Sequence, residues 1–302
     1  MFVFMAITGY ICSSGLYSTI FRPVLWIMRH IIKADDRILS VFLLSLIGGY
    51  PIGMKLLKEI IAQNKNYPAI KDACMNSSVF CYCISPTFAL IMLGNGVFGS
   101  TSAGVVIYLS NVLACLLTGI VVSRACVLRT GSVSREDRGS LIGAVNSASR
   151  AMFTVCTVII AFNTVISCIR AFLLNFGAVV PEQLTGILEI SNLMSLNSSD
   201  ISMIPFVSAV ASMGGICVML QCTAIAGGAF PVKRFIAARL PCALLSAVIA
   251  QIILQFTDIS VSASTYSPEY TYEFSANRII VLVLIAMCII IFHKSDKIFK
   301  KV

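Results

Sequence analysis

Long apolar runs alternate with short basic stretches along this chain. Residues 105–123, 151–169, 235–256 and 279–292 are almost free of charge. A helix needs roughly 20 such residues to cross a bilayer core. Only a helix or a closed barrel satisfies every backbone polar group where there is no water. The period-2 alternation of a membrane barrel is absent. The pattern therefore predicts an all-α, polytopic membrane protein.

Charges and helix breakers divide the chain further. Residues 1–20 form an apolar run with no basic stretch before it, unlike a cleavable signal peptide, and read as a first span. Arg22, Arg29, Lys33 and Arg37 follow as a basic loop. Residues 40–57 are apolar but hold Gly48-Gly49-Tyr50-Pro51-Ile52-Gly53 at their centre. Lys55, Lys58, Lys65 and Lys71 lie beyond. If both basic stretches are on the cytoplasmic side, the segment between them enters and returns as a re-entrant hairpin. The alternative is an ordinary Pro-kinked span. Residues 73–98 form a long span broken at Ser85-Pro86, and residues 105–123 a clean one. Arg124, Arg129, Arg135 and Arg138 form the next basic loop.

The second half repeats this plan. Residues 141–169 are a span, and residues 181–197 are a short, polar-punctuated hairpin. Residues 201–230 are a span broken at Ser212-Met213-Gly214-Gly215. Lys233, Arg234 and Arg239 lead into residues 235–256. Three crossings per copy invert the second copy. The expectation is about seven transmembrane helices plus two re-entrant hairpins in two inverted repeats. The repeats span 1–130 and 131–257. Residues 258–302 supply an outside loop, a last helix and a basic cytoplasmic tail. Paired interruptions of this kind point to a transporter's midplane site.

Composition agrees. Charged residues make up 12% and mean hydropathy is +0.93, against about a quarter charged in soluble domains. The net charge of +9 belongs to loops flanking the spans, so nucleic acid is not an expected partner. None of the 12 cysteines forms a C-x-x-C pair, and His30 and His293 are far from Cys81 and Cys83. No metal and no cofactor are expected. No Ser/His/Asp set, H-E-x-x-H or P-loop is present, and the chain does not read as an enzyme.

The string Gly48-Gly49-Tyr50-Pro51-Ile52-Gly53-Met54-Lys55 resembles the G-Y-P-x-G-x-K signature of the sporulation integral membrane protein YlbJ family, whose members carry nucleoside-recognition Gate domains. Three further pieces fall in order. Ser85-Pro86-Thr87-Phe88 resembles G-P-x-F, with Ser for Gly. Residues 186–193 resemble G-L-L-E-x-T-N-G, with Leu193 in the place of the last Gly. Residues 214–221 resemble G-G-x-x-V-x-x-Q. Family members carry a further helix before the point where this chain begins. The resemblance implies a transporter-like or solute-gating protein of a bacterial cell or spore membrane, with two hairpins and two broken helices. Its expected partners are the bilayer, a small polar, nucleoside-like solute and a coupling ion; a homo-oligomer fits the same reading. A non-transporting structural or assembly protein of spore formation is the alternative.

Glu189 is the first candidate for solute or ion binding, because a carboxylate at membrane depth is costly unless paired or hydrated. Ser191 and Asn192 stand beside it. Gln221 could bond a solute or a neighbouring helix. Lys55 could meet an anionic group or Glu189, or snorkel to the surface. Ser85 and Ser212 mark broken helix ends, whose partial charges suit polar ligands. Gly49, Tyr50, Pro51, Gly53, Pro86, Gly214 and Gly215 shape the tip and the breaks.

Overall fold

In the computed structural model, residues 2–64, 67–128, 140–177, 179–196, 200–227, 230, 232–257 and 259–260 are described. All regular elements among them are helical. The last span and basic tail expected from the sequence lie outside the described residues.

Helix α1 covers Phe2–Ser14, a length of 13 residues, about 20 Å at 1.5 Å per residue. It is shorter than the expected first span. A short α2 (Tyr17–Ile20) leads to α3 (Arg22–Ile31). The expected basic loop is thus a helix. Leu25 and Met28 are buried on one face, whereas Trp26, Ile27 and Val24 are exposed beside Arg22, Arg29 and His30. Pro23 sits in its first turn, where a missing N–H costs nothing. An apolar face flanked by cations suits the bilayer interface.

Helices α4 (Asp36–Gly48) and α5 (Tyr50–Gln63) meet at Gly49. Its φ of 90° is open to glycine and strained for other residues. The pair folds back on itself, because Arg37 at the base of α4 bonds Gln63 at the end of α5. Helix α6 (Pro68–Ser77) follows. Residues 81–85 are then non-helical. A π-helix, Phe88–Asn95, runs into α7 (Gly96–Phe98) and turns into α8 (Thr101–Ala125). A Cβ on Gly94 would sit 2.7 Å from the Cα of Gly104, so two glycines let these neighbours close up.

The second half opens with α9 (Leu141–Leu174), of 34 residues. Helix α10 (Glu182–Leu188) and the 3-10 helix Ile190–Leu196 fold back at Glu189. A Cβ on Gly186 would lie 3.6 Å from the Cα of Leu193, a separation that continuous helix does not give at seven residues. This hairpin has arms of 7 residues each, against 13 and 14 in the first. The two hairpins are therefore unequal in length. A 3-10 turn, Ile201–Met203, enters α11 (Ile204–Met213), which is broken from α12 (Gly215–Ala226) at left-handed Gly214. Helix α13 covers Val232–Gln255.

Among the described residues, four helical stretches are long and apolar enough to cross a membrane: Thr101–Ala125, Leu141–Leu174, Ile201–Ala226 and Lys233–Gln255. Phe2–Ser14 and Phe88–Phe98 are apolar but shorter. The chain is an all-α membrane protein, and the fourfold count is the part of the expected seven that these lengths carry.

Helices α8 and α13 are apolar outside and carry polar side chains within. Val105, Leu109, Leu113, Leu117 and Val121 form an exposed stripe on α8, while Ser110, Asn111 and Cys115 are buried opposite. On α13, Leu240, Leu244, Val248 and Ile252 face out, and Arg239, Cys242 and Ser246 face in. The i, i+4 spacing gives each stripe one helix face. Exposed leucines and valines suit lipid, which leaves polar side chains to bond between helices. Ser110, Ser208 and Ser246 do this, with oxygens 2.6 and 2.8 Å apart across α8, α11 and α13.

The first three basic segments share one end of the bundle. Ala34 and Leu128 form an isolated parallel bridge, and the Asp35 amide donates to the Leu128 carbonyl at 3.2 Å. Lys58 donates to the Ile225 carbonyl at 2.6 Å, at the end of α12. With Arg37 on Gln63, these bonds join the first basic segment to the second and third, and the second to the end of α12.

Candidate functional site

Each hairpin tip packs on the interruption that follows it. In the first half a Cβ on Gly49 would lie 3.1 Å from Ser85 Cβ, and one on Gly53 would lie 1.9 Å from the Cys81 carbonyl oxygen. The missing side chains let α5 rest against the bare backbone of residues 81–85. In the second half a Cβ on Gly215 would sit 3.1 Å from the Ile187 oxygen and 3.4 Å from the Ile190 nitrogen. The short hairpin thus rests on the Gly214–Gly215 break in the same way.

The two interruptions also meet each other. Tyr82 donates its hydroxyl to the Met213 carbonyl at 3.1 Å. Tyr50, at the first tip, donates to the Ala211 carbonyl. These are carbonyls at the C-terminal end of α11, where the break leaves acceptors without helix partners. The two tyrosine rings lie 4.8 Å apart. The sulfur of Cys222 reaches the Tyr50 carbonyl at 3.8 Å.

Glu189 is buried at the second tip. Its Oε1 accepts from the Ser191 amide at 3.3 Å and the Ser191 hydroxyl at 3.0 Å. Its Oε2 is buried and has no hydrogen-bond partner among the described residues. The Cys217 thiol lies beside it, in the first turn of α12, whose free N–H groups favour negative charge. Gln221, one turn on, is buried and donates to Cys217 sulfur at 3.2 Å. Asn192 donates to Asn163 of α9 at 3.5 Å. Glu189, Ser191, Cys217 and Gln221 are therefore one polar cluster within apolar surroundings.

Other predicted residues have different neighbours. Ser85 accepts from the Phe88 amide at 3.3 Å and, with Pro86, opens the second part of the broken span. Pro51 occupies the first turn of α5. Ser212 bonds the Cys242 carbonyl at 3.4 Å. Lys55 neither snorkels nor bonds Glu189. It is buried, pairs with Glu59 at 3.0 Å and lies 3.5 Å from the Met5 carbonyl. Glu59 also accepts from Ser147 of α9 at 2.6 Å.

Arg239 is the largest departure from the sequence reading. It does not belong to the basic loop at the start of α13. It is fully buried, stacks 4.7 Å from the Tyr82 ring centroid, and donates Nη1 to the Tyr82 carbonyl at 3.0 Å. Asn111 of α8 was equally hidden; its Oδ1 accepts from the Ile84 amide at 3.1 Å. A single amide or guanidinium inside an apolar run was the available signal. Lys233 and Arg234 nearby masked it for Arg239.

No protein-family model, curated protein or solved structure matches this chain. Its function is read from its own residues.

Proposed function

We propose that this is a transporter-like or solute-gating membrane protein, which binds a small polar solute where the two interruptions cross. The observation that carries this reading is the buried Glu189 carboxylate, with Oε2 unpartnered, at a hairpin tip that touches the Gly214–Gly215 break. A buried acceptor without a partner is costly, and a fold bears that cost where a ligand or ion completes the site. The first hairpin has both bases at the basic end and a tip against Ser85. Its arm of 13 residues is about 20 Å long, short of the roughly 30 Å bilayer core. A re-entrant hairpin accounts for both facts. Movement of hairpins against α8, α9 and α13 would then expose the crossing to either side in turn. The likeness to the nucleoside-recognition Gate pattern favours a nucleoside-like solute and a sporulation membrane.

Uptake by proteoliposomes and solute-dependent thermal stabilisation test this. We expect a nucleoside or small polar acid to stabilise the folded protein and to be taken up. Glu189→Gln should remove ion-coupled uptake, because an amide keeps the shape and the Ser191 bonds but loses the charge. Folded protein without specific binding or flux would favour a structural or assembly role. Wild-type uptake by Glu189→Gln would end the assignment of that residue.

A further inference from the structure

Arg239 has more hydrogen-bonding capacity than the protein uses. Nη1 is committed to the Tyr82 carbonyl, but Nε and Nη2 are buried with no partner among the described residues. The ion pairs Arg29–Asp36 and Lys55–Glu59 do not include it. Asn111 adds a third unmet donor. Its Oδ1 is fixed by the Ile84 amide, which leaves Nδ2 buried and unpartnered. Both side chains address the same non-helical stretch, from α13 and from α8. Cys115, one turn beyond Asn111, shares the Tyr82 carbonyl with Arg239, at 3.4 Å.

The unmet groups here are all donors, and one of them carries a full positive charge. A metal ion would not satisfy them. A neutral hydroxyl would leave the charge uncompensated. A carboxylate or phosphoryl group offers two or more oxygens to the planar guanidinium fork and a further one to an amide. We infer that Arg239 and Asn111 form an anion subsite at the crossing, and that the solute carries an acidic group. This rests on the solute-binding reading above. It has a second consequence. The Tyr82 carbonyl, which an unwound segment could offer to a coupling cation, is already occupied by a tethered one. Anion binding at this subsite therefore needs no alkali ion.

The test uses the full chain, purified and folded. Its unfolding midpoint is followed with benzoate and inorganic phosphate, against benzamide and against chloride at matched ionic strength. Benzoate or phosphate should raise the midpoint with saturation, equally in sodium and potassium salts, and benzamide should not. Phosphate alone would mark a phosphoryl site, and benzoate alone a carboxylate site. Arg239→Gln should remove the response. Asn111→Asp keeps an oxygen for the Ile84 amide and supplies an internal counter-charge. It should raise the midpoint without ligand and weaken anion binding at least tenfold. It decides the matter if Arg239→Gln does not fold. An equal response to benzamide and benzoate would overturn the inference, as would full anion binding by Asn111→Asp. If uridine stabilises the protein and neither anion does, the anion subsite falls and solute binding stands. If nothing stabilises folded protein, both fall.

Discussion

A methyl group on Gly53 would sit 1.9 Å from the main-chain oxygen of Cys81. The contact is backbone against backbone, so no flexible side chain can yield. Gly53→Ala should therefore push α5 off the non-helical stretch and cost about 1–3 kcal/mol, the usual range for overpacking. Gly143→Ala is the control, since its Cβ would meet only Ser140 Cβ at 3.9 Å. It should be neutral or slightly stabilising, as removal of a helical glycine usually is. Equal midpoints for the two variants in thermal unfolding would refute the packing argument.

Lys55 and Glu59 provide a second asymmetry. Lys55 is 4% exposed at the side chain and Glu59 27%. Removing Glu59's charge strands a buried ammonium, with the Met5 carbonyl at 3.5 Å as its remaining contact. Removing Lys55 leaves a carboxylate that still has Ser147 and some solvent. Glu59→Gln should thus cost more than Lys55→Met, by about 1–2 kcal/mol after allowance for partial exposure. The double variant should recover part of the loss. Additive single losses in a double-mutant cycle would show that the pair does not interact.

Asp200 gives a pH-dependent outcome. It caps the 3-10 turn before α11, accepting from the Ser202 amide at 2.9 Å and the Ser202 hydroxyl at 2.7 Å. These bonds hold its carboxyl below the usual carboxylate range. The folded value is depressed, so the stabilisation is complete above the unfolded value and fades as pH falls through the folded one. Hydrogen exchange at the Ser202 amide, corrected for its intrinsic pH dependence, should stay slow down through the ordinary carboxylate range and speed up only below it. Asp200→Ala should show fast exchange at every pH. Slow exchange in that variant would mean that the cap does not protect the amide.

The fold was legible in sequence where one physical demand dominates. Long apolar runs at α8, α9 and α13 had no other use than crossing a bilayer. Gly49, Glu189 and Gly214 were legible as interruptions because helices avoid such residues at depth. Arg239 was not legible. A cation two turns after Lys233 looks like one more loop charge unless the helix start is known. Lys55 and Glu59 stand at i, i+4, the spacing of a helical ion pair, but that pairing could be read only once residues 50–63 were known to be one helix. The unequal hairpins had no sequence signal, since length between breakers does not say where a chain turns. The meeting of Tyr50 and Tyr82 with α11 depends on contacts more than 130 residues apart. No local pattern encodes those.

Trp26 is the single tryptophan of the chain and is 66% exposed on α3. If this helix lies in the interface plane, the indole sits at headgroup depth. Shallow spin-labelled or brominated lipids should quench its fluorescence several-fold more than labels near the bilayer centre. Stronger quenching from the centre would place α3 within the core.

The last prediction concerns sides. The bonds Asp35–Leu128, Arg37–Gln63 and Lys58–Ile225 put the first three basic segments and the end of α12 at one end. Helix α9 has 34 residues and is about 51 Å long, more than a bilayer core. Its far end, near exposed Val179, therefore belongs on the other side. Cysteines at Lys33, Lys71 and Val127 should react with an impermeant maleimide from one side only, and a cysteine at Val179 from the other. Cys156, the exposed native thiol among the described residues, is first changed to Ser. The positive-inside rule assigns the three-residue set to the cytoplasm. If Lys33 and Lys71 label from opposite sides, residues 36–63 cross the membrane and the re-entrant hairpin is wrong. If Val179 labels with Lys33, α9 does not span, and the inverted relation of the two halves is lost with it.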